Sequence, residues 1–64
     1  MLKKIRKQRG LSQSQLARVS GVSIRMIQHY EQGVKDIRNA RAVTVIALAN
    51  ALGCEPEDII KEGE

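Results

Sequence analysis

Apolar residues recur along this chain at spacings of three and four, and glycines interrupt the pattern. Leu2 and Ile5 form the first such group, and Leu16 and Ala17 with Val19 or Ser20 the second. Ile27 and Tyr30 form the third, and Ala42, Val45, Leu48, Ala49 and Leu52 a longer fourth. Each set falls on one side of a helix with about 3.6 residues per turn. Gly10, Gly21, Gly33 and Gly53 stand where each pattern stops, the usual place for a residue that tolerates a left-handed backbone. The spacing predicts helices over 1–9, 13–20, 24–32 and 40–52, and a short fifth that opens at Pro56. The fold class that follows is all-α: five helices in one compact domain spanning 1–64.

The ends of these helices carry their own chemistry. Ser12 and Ser23 stand just before the second and third patterns, where a hydroxyl can accept from unpaired backbone N–H groups. Asn39 offers the same service to the fourth helix, after a loop over 34–38 with Ile37 as its apolar plug. Pro56 suits a first helical position, and Glu57 and Asp58 suit the positive end of the fifth helix, with Ile59 closing the core. Between the second and third helices the break is three or four residues, which suits two helices crossing steeply rather than an antiparallel hairpin. Ala17 keeps the second helix from holding the third away, and Gly21 can take the backbone angle that the break demands. That combination is a helix-turn-helix.

Composition narrows the function. Sixty-four residues bury only about 60% of the surface their unfolded chain exposes, so a dimer or a nucleic-acid partner would add useful stability. Tyr30 is the sole aromatic residue, which argues against RNA and single-strand modules built on aromatic stacking. Cys54 is alone, which excludes an internal disulfide and fits a reducing cytoplasm, and we expect no signal peptide before the first helix. No apolar run approaches the length of a membrane span. Charge is uneven: residues 1–41 hold ten Lys or Arg against Glu31 and Asp36. Residues 42–64 hold Lys61 against Glu55, Glu57, Asp58, Glu62 and Glu64. A molecule polarised in this way can turn a basic side to a polyanion and point its acidic end away.

The stretch from Gln13 to Gly33 resembles the lambda-repressor-like family, the Cro and xenobiotic-response-element class of helix-turn-helix regulators. Gln13, Leu16, Ala17, Gly21, Val22, Ser23, Ile27, Glu31 and Gly33 carry the resemblance, and Ala49, Leu52, Gly53, Pro56 and Ile59 extend it over essentially the whole chain. Glu55 departs from the Ser or Thr more usual in the family at the cap of the fifth helix. The resemblance implies a third helix lying in the major groove of double-stranded DNA, with Ile24, Arg25, Gln28 and His29 exposed towards base edges. Arg25 can donate twice to guanine, Gln28 can pair with adenine and Ile24 can touch a thymine methyl. Arg25 could instead hold a phosphate, and His29 could meet a base or a phosphate or stay at the groove margin. Met26 is expected to support packing. Gln13, Ser23, Lys35, Arg38 and Arg41 are the expected phosphate contacts, although Gln13 could be a plain polar residue of a first helical turn. Arg6 and Glu31 align with positions that form a partly buried ion pair in the family.

The function implied is a sequence-specific regulator of transcription, a repressor of prokaryotic or phage type that works as a homodimer on an operator. A second use of the same fold is a protein-interaction module, such as an antitoxin or accessory subunit. The basic first two-thirds of the chain weigh against it, since a protein partner does not require so many phosphate-compatible groups. An enzyme has little support. The sequence offers no Ser/His/Asp set, no Gly-rich phosphate loop and no metal-ligand cluster around the lone His29, and it points to no cofactor and no small-molecule ligand.

Overall fold

The computed structural model describes residues 2–60. The expected helix start at Met1 and the tail 61–64 lie outside the described residues. Five helices follow in order: Leu2–Gln8 (α1), Gln13–Ser20 (α2), Ile24–Gln32 (α3), Ala42–Leu52 (α4) and Pro56–Ile60 (α5). One turn of 3-10 helix, Ile37–Asn39, stands between α3 and α4.

Serine chemistry sets the starts of α2 and α3. Ser12 Oγ accepts from Gln15 N at 3.0 Å while Gln15 Oε1 accepts from Ser12 N at 2.8 Å, a reciprocal capping box. Ser23 Oγ accepts from Met26 N at 3.2 Å. Gly21 ends α2 at φ 77°, and its N–H donates to Ala17 O at 2.9 Å. No atom lies within 4 Å of where a Cβ on Gly21 would stand, so the position demands a backbone angle and not space.

The core takes side chains from every helix. Leu16, Ile27, Leu48 and Ile59 are fully buried, one each from α2, α3, α4 and α5, and Leu2 and Ile5 of α1 close it. Ala17, Val22, Tyr30, Ile37 and Cys54 pack half-buried around them. Arg9 Nε donates to Leu52 O at 2.7 Å, so a cation meets an open carbonyl at the end of α4 and ties α1 to it. At α5 the Asp58 carboxylate accepts from Glu55 N at 3.0 Å, the reciprocal half of a capping box whose Ser or Thr half is absent.

Several expectations need correction. α1 ends at Gln8, with Arg9 in the turn that leads to Gly10. α4 begins at Ala42, not at residue 40, and Asn39 is no cap. Asp36 captures the chain first: its carboxylate accepts from Arg38 N at 2.9 Å, while Asn39 N and Ala40 N donate to Asp36 O and Ile37 O. Ala40 and Arg41 then run extended, and α4 starts after them. Arg41 is therefore the residue before the helix and not part of its first turn. Ala42 lies on the side of Val45 but beyond the end of the core, and is exposed. On α2 the choice falls to Ser20, which is half-buried, and Val19 is exposed.

Candidate nucleic-acid interface

α3 carries the four residues expected to face a groove, and its amphipathic pattern decides how open each one is. Ile27 is buried and Tyr30 half-buried on the inner side. That leaves Ile24 and Arg25 exposed at the helix start, directly after the Ser23 cap. Gln28 and His29 are half-buried and less open than expected. The chain folds back over the end of α3, where Val34 N and Lys35 N donate to His29 O at 2.9 and 3.2 Å. His29 Nδ1 is buried and has no hydrogen-bond partner among the described residues.

Cationic and polar groups surround this helix. Lys35 and Arg41 are exposed at a cleft of about 390 Å³ whose lining also includes Met26, Tyr30, Asn39, Thr44 and the acidic Asp36. Met26 thus lines an open cleft and does not join the core. Arg41 makes no side-chain cap for α4, so the first N–H groups of that helix carry no side-chain acceptor. Such a helix start, with a cation beside it, is chemically suited to an anion. A second cleft, about 470 Å³, lies between α2 and the start of α3, where Ser14 and Arg18 face Ser23 and Ile24. Arg18 was not among the residues expected here.

Two expected phosphate contacts have internal partners. Arg38 forks onto Asp36, with Nη2 at 2.8 Å from Oδ2 and Nε at 3.1 Å from Oδ1. Arg38 holds the exposed Asp36 carboxyl below the usual carboxylate range through its side-chain and backbone hydrogen bonds. Gln13 Nε2 donates to Glu31 Oε1 at 3.0 Å.

Glu31 is the centre of the network that holds α3 in place. Arg6 Nε and Nη2 donate to its two oxygens at 2.7 and 3.0 Å, and Arg6 Nη1 donates to Leu11 O at 2.8 Å. The ion pair expected between Arg6 and Glu31 is present, and it also recruits Gln13. Burial pushes the Glu31 carboxyl up, but the hydrogen bonds from Arg6 and Gln13 and the charges of Arg6 and Lys3 hold it below its ordinary value. The hydrogen bond to Glu31 raises the Arg6 guanidinium in turn, against the effect of burial. α1, α2 and α3 thus meet at one carboxylate.

Other chemistry is sparse. Among the described residues, no group of three or more His, Cys, Asp or Glu could hold a metal ion, and no helix is long and apolar enough to cross a membrane. Cys54 is half-buried, and burial, with Asp58, pushes its thiol up. A family model described as helix-turn-helix matches residues 2–59. No curated protein and no solved structure matches the chain.

Proposed function

The chain belongs to the lambda-repressor-like, xenobiotic-response-element class of helix-turn-helix DNA-binding regulators, and from that premise we propose that it binds a specific double-stranded operator as a homodimer and represses transcription from the cytoplasm. The observation that carries this reading is α3. It is capped at both ends, anchored through Glu31, and opens with exposed Ile24 and Arg25 beside cations on both neighbouring segments. In this reading Ile24, Arg25, Gln28 and His29 meet base edges. Lys35, Arg41, Ser23 and Gln13 hold phosphates and fix register, Gln13 through its backbone N–H at the start of α2. Arg38 holds a phosphate in exchange for part of its bond to Asp36. Bound at the promoter, the protein blocks polymerase.

The dimer follows from reach and from α4. One unit of this size covers too few base pairs to select a site. α4 is apolar on almost every face, and its outer side leaves Val43 66% and Ile46 48% exposed, with half-buried Ala47 one turn on from Val43. Beside them a groove of about 360 Å³ includes Ala42, Pro56 and Ile60, with Arg38 at its rim and Glu57 exposed on the adjoining helix. An apolar groove continuous with an exposed apolar helix face suits a second copy, related by a two-fold axis. A patch of a few hundred Å² falls well short of the roughly 1,200–2,000 Å² in a stable interface, so the dimer forms on DNA and is weak without it.

Selection of bound sequences from a random duplex library tests the reading. The expected result is a palindromic consensus with half-sites about 34 Å apart, one helical turn. Failure to enrich any duplex would overturn the DNA reading. A single unpaired half-site at saturation would remove the dimer alone.

A further inference from the structure

We propose that α3 reads an acceptor-rich base edge, with Arg25 and His29 both acting as donors and His29 fixed as its Nε2–H tautomer. This rests on the DNA reading above and adds the chemistry of the sequence that is read. A neutral imidazole carries one N–H and one bare nitrogen. A proton on the buried Nδ1 of His29 would leave a donor with no acceptor among the described residues. An orphaned buried donor is rarer in folded proteins than an under-used acceptor, and the Nε2–H form is also the more stable one in water. The buried nitrogen therefore stays bare, and Nε2–H becomes the working end of the ring.

A donor in the major groove is met by guanine N7 and O6, adenine N7 or thymine O4, and is refused by the amino groups of cytosine and adenine. Guanine alone presents two acceptors side by side. Arg25 satisfies both, and the single N–H of His29 favours the N7 of a second guanine, because adenine N7 lies beside an amino group that repels a donor. The two residues are four apart on α3, one turn and about 6 Å along the axis. A helix lying along the inclined groove projects part of that length onto the duplex axis, where bases repeat about every 3.4 Å. Each half-site should therefore carry two guanines one or two steps apart. Ile24, exposed beside Arg25, adds a thymine methyl next to them. Gln28 both donates and accepts, and does not disturb this polarity.

Two measurements decide the matter. His29 is the only histidine in the chain, so a long-range proton–nitrogen correlation spectrum of the free protein reports its tautomer without ambiguity. The Nε2–H pattern is expected, and an Nδ1–H pattern overturns the assignment whether or not DNA is bound. The second measurement is library selection with the wild-type protein, Arg25→Ala and His29→Ala. Each variant should lose preference for one of two nearby guanines. Replacing the His29-dependent guanine by 7-deazaguanine should weaken wild-type binding roughly tenfold and leave His29→Ala unaffected. A selective consensus without guanine, or an equal 7-deazaguanine effect in both proteins, overturns this inference and leaves DNA reading intact. No selective binding by the wild type brings down both.

Discussion

Two arginine–carboxylate pairs in this chain have nearly the same geometry and very different surroundings. Arg6 and Glu31 lie 25 positions apart, approach to 2.7 Å, and expose only 9% and 3% of their side chains. Arg38 and Asp36 lie two positions apart, approach to 2.8 Å, and expose 50% and 40%. The first pair is a tertiary lock, because removing either partner strands the other away from water. The second shapes one turn of backbone and keeps its charges within reach of salt, solvent and polyanions. The same contact thus serves the fold in one place and remains open to exchange with a phosphate in the other.

The largest effect should come from breaking the lock. Arg6→Met or Glu31→Gln should each cost about 3 kcal/mol in denaturant melts, the lower end for a buried pair because the guanidinium keeps an edge to solvent. A domain of this size has roughly 3–10 kcal/mol in total, so either variant should be marginal at room temperature. The double mutant should cost clearly less than the sum of the two. Additive small losses would place this pair in the same class as Arg38 and Asp36. Gln13→Ala should cost less, roughly 1.5 kcal/mol, because it removes one donor from a carboxylate that keeps two.

Acid should separate the pairs without mutation. The folded-state value of Glu31 is depressed, so its stabilising contribution is present above the unfolded value of roughly 4.3 and is lost as pH falls through the folded one. Thermal melts from pH 6 downwards should show a larger loss in the wild type than in Glu31→Gln, which keeps only the share of the other carboxylates. The smallest effect on folding belongs to Asp36→Asn, whose melting should match the wild type. Its DNA binding should nevertheless strengthen at low salt, with a steeper salt dependence, because Arg38 no longer shares its charge with a carboxylate. Unchanged duplex binding would remove Arg38 from the phosphate contacts.

The helix-turn-helix was legible in the sequence because its limits are set within one turn of chain. Ser12, Gln15 and Gly21 fix α2, and Ser23 and Gly33 fix α3, with no help from distant residues. The start of α4 was not legible, since Asp36 and Asn39 are both suited to capture backbone N–H groups. The winner was decided by where Ile37 meets the core. The sequence offers Gln13 as a phosphate contact or a plain first-turn residue and hides its bond to Glu31, because that partner is 18 positions away. The return of residues 34 and 35 onto the His29 carbonyl is likewise encoded by no periodicity within the helix.

The central claim, that α3 reads sequence while neighbouring cations hold the backbone, is tested most directly by comparing Arg25→Ala with Lys35→Ala. Binding of each would be measured on the selected operator and on a scrambled duplex over a range of salt. Arg25→Ala should lose roughly 1–3 kcal/mol on the operator and little on the scrambled duplex. Lys35→Ala should weaken both duplexes alike and reduce the salt slope by about 0.9. If both variants weaken every duplex equally, Arg25 is a phosphate ligand and specificity lies elsewhere on α3. If neither changes duplex binding while both remain folded, α3 does not read DNA.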